Sequence, residues 1–252
     1  MNNRDKTPLV IYWSPGGIQR HDNKPSTNLT YPDPKNLYQE LSSTKTKDSK
    51  NFSFFSCPAV ADRFKSTFVF RNNTKTTVHW DAPIDQSYTT TPNVEPYGIH
   101  ATYPRPAAME NTASLWLSLS WVFFCEEDIT AYTQAPYMHK PTFLNQGVIV
   151  PGAYNIGSWF RRLPAEMHMW SSSGTITIDE DEPLFYLELA TTRPIILKRF
   201  TLNQDLIKIL DDCTAAPGIF EKHLPLVDRY KRFKETSTNK LVIKEIKKNL
   251  VE

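Results

Sequence analysis

Leu115-Trp116-Leu117-Ser118-Leu119-Ser120-Trp121-Val122-Phe123-Phe124 is the most apolar window of the chain, and its reading decides the fold class. In an extended strand, Leu115, Leu117, Leu119, Trp121 and Phe123 fall on one face and Trp116, Ser118, Ser120, Val122 and Phe124 on the other. Both faces are apolar at the far end. A strand of that kind belongs in the middle of a layered structure, covered on both sides. The window is far too short to span a bilayer, and two serines lie inside it, so no membrane association is expected.

Outward from this window, the stretch from Phe52 to Leu202 is dense in aromatic and β-branched residues and is broken by Pro, Gly, Asn and Ser clusters. Pleated surfaces pack rings and branched side chains well, and those clusters supply the turns. Leu9-Val10-Ile11-Tyr12-Trp13 reads as a short buried strand. Thr67-Phe68-Val69-Phe70 reads as another, with Thr76-Thr77-Val78-His79-Trp80 as its hairpin partner across Asn72-Asn73. One short strand is expected near Gly98 to Tyr103, then Thr130 to Gln134. Ser158 to Arg162 is expected to pair with Glu166 to Trp170, followed by Thr175 to Ile178, Leu184 to Leu189 and Ile195 to Phe200. Short strands at even spacing predict a mainly β fold, an antiparallel β-sandwich or jelly roll. The 252 residues, 40% of them hydrophobic, suffice for a sizeable core.

Helical signals are confined to three regions. Lys35 to Leu41 carries Leu37, Tyr38 and Leu41 at helical spacing. Ser56 is placed to cap a short helix through Phe64, with Pro58 in its first turn. After Phe200 the texture changes: Asn203 is placed to cap a helix to Cys213, and Leu224 to Phe233 and Leu241 to Leu250 follow. The chain therefore divides into a β-rich core domain, 1–201, and a helical C-terminal extension, 202–252. Nineteen prolines against eight glycines predict stiff, defined connections.

A net charge of +2 excludes nucleic-acid binding by bulk electrostatics. Cys57, Cys125 and Cys213 lie far apart and are odd in number, which predicts buried reduced thiols rather than a disulfide framework. Residues 1–6 lack the apolar core of a signal peptide, so a protein working inside a cell, or in a particle assembled there, is expected.

Several constellations could carry chemistry. His79-Trp80-Asp81 at a strand end, with a distal His139 or His168, matches the facial triad of non-haem iron, 2-oxoglutarate-dependent oxygenases. The arginine such enzymes need shortly after the distal histidine is missing. Arg161, Arg162, Glu166 and His168 could line a hairpin face for acid–base work. Glu126-Glu127-Asp128 and Asp179-Glu180-Asp181-Glu182 carry hard oxygen ligands suited to calcium, without EF-hand spacing. Tyr88, Tyr97, Tyr103, Tyr132, Tyr137 and Tyr154 fall in loops or near strand ends, where rings form a binding face for sugar or protein or else plug the loops. The basic run of Arg229, Lys231, Arg232, Lys244, Lys247 and Lys248, interleaved with Tyr230 and Phe233, is compatible with nucleic acid and equally with a solvated helix face. No Walker loop, dinucleotide fingerprint, zinc spacing or nucleophile elbow is present. No residue is assigned as catalytic or cofactor-binding on these grounds.

Ser56-Cys57-Pro58-Ala59, Phe68-Val69-Phe70, Trp121-Val122-Phe123-Phe124-Cys125-Glu126-Glu127-Asp128, Val150-Pro151-Gly152, Trp159-Phe160-Arg161 and Leu197-Lys198-Arg199-Phe200 occur in this order. That series resembles a family encoded by marine tailed phages of the T4-like type, in cyanophages and pelagiphages, that carries no established activity. The segment from Gly147 to Leu189 is also loosely similar to bacterial β-rich proteins of unknown function. The resemblance implies a phage protein located in the virion or in the host cytoplasm, and it implies no mechanism. The expectation is a non-enzymatic structural or interaction module with protein partners or self-association. An iron oxygenase using His79, Asp81 and His168 is the enzymatic alternative, and a nucleic-acid accessory protein using the basic helix is the third.

Overall fold

The computed structural model describes residues 7–15, 32–43, 54–72, 75–81, 98–101, 111–118, 121–163, 165–214 and 226–251. The fold is mainly β, with antiparallel sheets in layers and helices at the C-terminus. Its strands are β1 (Leu9–Ser14), β2 (Thr67–Arg71), β3 (Thr76–Asp81), β4 (Gly98–Ala101), β5 (Ala113–Ser118), β6 (Val122–Cys125) and β7 (Thr130–Gln134). There follow β8 (Gly147–Ile149), β9 (Gly152–Asn155), β10 (Ala165–Met169), β11 (Ser173–Ile178), β12 (Pro183–Leu189) and β13 (Ile195–Arg199). The helices are α1 (Leu37–Ser43), α2 (Pro58–Lys65), α3 (Gln204–Thr214), α4 (Leu226–Glu235) and α5 (Thr238–Lys248). Among the described residues the strands form four sheets, in the orders β13-β1-β6, β4-β5-β10-β8, β11-β3 and β2-β12-β7-β9.

Alternation along β1 and β6 organises the molecule. Leu9, Ile11 and Trp13 of β1, with Phe123 and Cys125 of β6, enter a core shared with Phe70 of β2, Phe185 of β12, Val78 of β3 and Met167 of β10. The intervening Tyr12, Val122 and Phe124 face the opposite way, onto Leu206 and Leu210 of α3, Phe233 of α4 and Val242 and Ile246 of α5. Period-two geometry sends neighbouring residues to opposite faces, so a strand apolar on both faces needs two covers. The first is the other sheets and the second is the helices. A parallel arrangement appears on the other side of α1 and α2: Phe68, Phe70, Phe185 and Leu187 point into the main core, while Val69 and Tyr186 meet Leu37 and Phe64 from those helices.

Helix ends follow their local chemistry. Asn203 Oδ1 accepts from the Leu206 N–H at 2.9 Å, the N-cap expected from sequence. For α2 the N-cap is Cys57, one residue later than expected, with Pro58 in the first turn and no side-chain cap. Proline at that position removes one donor that would otherwise need a cap.

Other expectations are corrected. The apolar window 115–124 is two strands in two sheets: β5 pairs with β4 and β10, whereas β6 pairs with β1. The two-sided burial holds for β6, whose four residues are all buried. The hairpin of β2 with β3 does not form; β2 pairs with β12, and β3 with β11. Burial explains this choice. β3 alternates, with Val78 and Trp80 buried and Thr77 and His79 exposed, and β11 alternates in step. Their exposed faces match as Thr77 with Thr177 at 3.1 Å and His79 Nδ1 with Thr175 Oγ1 at 2.8 Å. The fully buried run of β2 instead joins β12, whose run is also buried. Residues 158–162 are no strand, because Trp159 and Phe160 enter the same helix-facing cluster, which consecutive strand residues cannot do. The partners of β10 are β5 and β8. Finally, the simple meander is interrupted by long-range pairings, including the parallel pair of β1 with β13. The sequence also predicts polar or proline-rich loops over 19–34, 42–50 and 81–111, which lie largely outside the described residues.

Candidate functional site

A part-buried polar cluster ties four elements together at one wall of a cleft. Glu40 from α1 bonds the guanidinium of Arg71 from β2 and, at 2.9 Å, Nε2 of His139 from the turn after β7. His139 Nδ1 meets the hydroxyl of Tyr186 from β12. Arg71 also donates to the Asp181 carbonyl at 2.5 Å. A neutral His139 satisfies these bonds in one sense: the Tyr186 hydroxyl donates to Nδ1, and Nε2–H donates to Glu40. Burial alone would raise the Glu40 pKa, but the hydrogen bond from His139 and the charge of Arg71 outweigh it and hold the carboxyl below its ordinary range. Burial pushes the Tyr186 hydroxyl well above its usual value.

A carboxylate, an imidazole and a hydroxyl in series have the outline of a relay that activates a nucleophile. Here the end of the series is closed, because Tyr186 is 0% exposed and packed beneath α1 and α2. The geometry can orient side chains and lock α1 onto β2 and β12. It offers no hydroxyl to a substrate. The adjoining cleft, of about 450 Å³, combines the buried rings of Trp13, Phe70 and Trp121 with the charged groups of Glu40, Arg71 and Asp181.

The facial-triad residues are split between two sheets, His79 and Asp81 on β3 and His168 on β10. His79 is on the exposed face of β3, bonded to Thr175. His168 is on β10, opposite Ser114 and Val148, with its ring 5.6 Å from that of Trp170. Asp81 pairs with Ser173 through the backbone, and its side chain lies outside the described residues. Both ring nitrogens of His139 are bonded within the Glu40 cluster. Among the described residues, no group of three or more His, Cys, Asp or Glu side chains is placed to hold a metal ion. Glu166 and His168 do share a face of β10, as expected, and Glu166 accepts from Ser114 Oγ at 2.6 Å. The arginines go elsewhere: Arg161 lies over the Tyr154 ring at 5.4 Å, and Arg162 approaches Asp211 at 3.8 Å.

The acidic turn 126–128 and the basic helices meet each other. Lys247 of α5 pairs with Glu126 at 2.7 Å, Lys234 of α4 with Asp128 at 2.6 Å, and Arg193 with Glu127 at 2.8 Å. Tyr12 adds a bond to Glu126 at 3.0 Å, and Ser158 one to Asp128 at 2.7 Å. The bonds from Lys234 and Ser158 hold the Asp128 carboxyl below its usual range. Gly157 fits beside this turn only without a side chain, since a Cβ there would come within 2.0 Å of the Glu127 carbonyl oxygen. Of the other basic residues, Lys231 approaches Glu235 at 3.8 Å and Lys248 pairs with Glu245 at 2.7 Å. Lys240 and Lys244 are exposed, and the side chain of Arg229 lies outside the described residues. The second acidic run is a turn in which Glu182 accepts from the backbone N–H of Asp179 at 2.8 Å and from Thr142 Oγ1 at 3.0 Å. Exposed ion pairs contribute about 0–1 kcal/mol each. Lys234→Glu or Lys247→Glu is therefore expected to lower stability by no more than ~1 kcal/mol each in urea unfolding, with the helices held by their apolar face.

Cys57 is exposed, which corrects the buried reading for that residue. Cys125 is buried, and burial pushes its thiol up to about 11; Cys213 is shifted likewise to about 11. Among the described residues no helix is long and apolar enough to cross a membrane.

Of the six tyrosines picked out in the sequence, Tyr88, Tyr97 and Tyr103 lie outside the described residues. Tyr154 is half-buried beneath Arg161. Tyr132 and Tyr137 remain 40% and 47% exposed on the outer side of the β2-β12-β7-β9 sheet. Tyr132 stands opposite Glu188, which also binds Arg63 at 2.8 Å, and the Tyr137 ring packs edge-on against Tyr186 at 5.1 Å. The two rings thus flank a fixed Arg63–Glu188 pair. Comparison with family models, with curated proteins and with solved structures returns no match.

Proposed function

We propose that this chain is a non-enzymatic structural or interaction module, of the kind encoded by tailed phages, acting in the particle or in the infected cell. The observation that supports this reading most is the outer aromatic face, where Tyr132 and Tyr137 are held exposed beside the Arg63–Glu188 pair. Rings on a rigid sheet supply contact area at little entropic cost, and a neighbouring ion pair supplies orientation. The Glu40–Arg71–His139–Tyr186 cluster and the paired 126–128 turn support the same reading, because their charges join elements of the scaffold to one another.

The test is association. Sedimentation velocity of the purified chain, and mass spectrometry of phage particles, should find self-association or a place in the particle. Replacing both Tyr132 and Tyr137 by alanine should weaken that association at least tenfold while the melting temperature stays within ~3 °C, as for surface changes of about 0.5 kcal/mol. Absence from particles assigns the module to the infected cell; a chain that neither self-associates nor captures a protein there, or association untouched by the double substitution, contradicts the proposal.

A further inference from the structure

The outer edge of β13 carries a second, independent feature. The Leu9 N–H donates to the Pro194 carbonyl at 2.7 Å, and the Phe200 N–H to the Trp13 carbonyl at 2.9 Å. Even-numbered residues here therefore turn their peptide groups toward β1. Strand alternation turns the N–H and C=O of Ile195, Leu197 and Arg199 outward. Near Arg199 that outward side is already used. The Val251 N–H donates to the Arg199 carbonyl at 2.9 Å, and the Thr201 N–H donates to the Asn249 carbonyl at 2.9 Å, around an antiparallel bridge of Phe200 with Leu250. The outward peptide groups of Ile195 and Leu197 have no recorded partner among the described residues. They open onto a groove of about 740 Å³ between Asn36 and Gln39, before and within α1, and Leu250 and Val251 near the end of the chain.

We propose that this edge takes up an extended segment of another polypeptide as an added antiparallel strand, with a carboxylate side chain against Lys198. This proposal rests on the reading of the chain as an interaction module, but not on the tyrosine face. An open edge supplies main-chain bonds, and the groove supplies side-chain contacts. The tail shows that antiparallel pairing fits this side of the sheet. Ile195 and Leu197 pack against the main core while staying half-exposed, and on the opposite face Ile196 is 43% exposed, so an incoming strand meets apolar surface on both sides. Charge selects an acidic segment: among the described residues the groove lining includes Lys198 and Arg199 against one carboxylate, Asp33, and Lys198 is exposed. The groove also favours a single strand over a second copy. A copy's sheet edge would bring its own α1 and tail into a space already bounded by both.

The probe is a synthetic peptide, acetyl-Glu-Val-Thr-Val-Thr-amide, with one version N-methylated along the backbone and one carrying Lys in place of Glu. Amide exchange is followed by NMR on the full chain. With saturating peptide, the amides of Ile195 and Leu197 should slow at least tenfold, while those of Ile196 and Lys198, already turned to β1, stay unchanged. The N-methylated peptide should give no protection, the Lys version should bind at least threefold more weakly, and Lys198→Glu should reverse that preference. Equal protection by the N-methylated peptide overturns the proposal. So does no slowing at all, or slowing that follows protein concentration without peptide, which would assign the edge to a second copy. If the Tyr132/Tyr137 effect persists when protection fails, the edge is eliminated and the module reading stands; if that effect fails while protection holds, the tyrosine face is eliminated and the edge stands.

Discussion

Phe70→Ala is expected to lower the free energy of unfolding by about 3–5 kcal/mol. Phe70 is 3% exposed and sits where two sheets meet. Its ring stacks on Phe185 at 5.1 Å within its own sheet, and it meets Phe123 of the β1 sheet edge-on at 5.0 Å and Trp121 at 5.7 Å. Truncation removes the transfer energy of the ring and leaves a cavity that rigid aromatic neighbours cannot close. Stabilities of small domains are about 5–15 kcal/mol, so the variant should be marginal at 37 °C. Urea unfolding checks this, and Phe70→Leu serves as a control that keeps most of the volume and should cost about half as much. A loss below ~1 kcal/mol for the alanine variant would mean that the two sheets do not share one core.

The second large effect belongs to Glu40. Glu40→Gln is expected to cost about 2–3 kcal/mol at neutral pH, because it leaves the half-buried guanidinium of Arg71 with only the exposed Asp181 carboxylate at 3.7 Å and weakens the acceptor of the His139 bond. Acidity gives an independent signature. The folded pKa of Glu40 is lowered, and unfolded glutamate titrates at about 4.3. Its contribution is therefore complete above that unfolded value and is lost as pH falls through the lowered folded value. The gap in stability between the native chain and Glu40→Gln should be widest near neutrality and should close as pH falls from the unfolded value through the lowered folded one. A gap that is constant across that range would show that the carboxylate is not bonded in its charged form. Tyr186→Phe, which keeps the ring and deletes the hydroxyl, should cost less, about 1 kcal/mol.

The parts of this architecture that were legible in sequence are those written in local pattern. The strand Leu9–Ser14, the cap at Asn203 and the C-terminal helices each follow from spacing or capping chemistry within a few residues. Partner choice was less legible. The segments β2 and β3 carry a turn signal between them, yet they part because one is buried over its first four residues and the other alternates, and each finds a match about a hundred residues away. Turn chemistry alone could not outweigh that difference in burial. The parallel neighbour of β1 is also remote in sequence. The Glu40 cluster was invisible for the same reason: residues 40, 71, 139 and 186 come from four elements, and no spacing links them. Conversely, His79-Trp80-Asp81 satisfied a local motif while its histidine simply pairs with Thr175 on an exposed ribbon. The acidic and basic runs were each visible, but their pairing through Lys247–Glu126 and Lys234–Asp128 was not, since it depends on where the helices dock.

Central to the account are β1 and β6, strands buried on both faces that make the sheets and the C-terminal helices one scaffold. Native-state hydrogen exchange tests this most directly, by comparing the opening free energies of Ile11 and Trp13 in β1 with those of Val242 and Ile246 in α5. The account predicts that both sets exchange only through global unfolding, with opening free energies equal within ~1 kcal/mol and equally lowered by Phe70→Ala. Opening of α5 at a cost several kcal/mol below that of β1, and unaffected by Phe70→Ala, would contradict it.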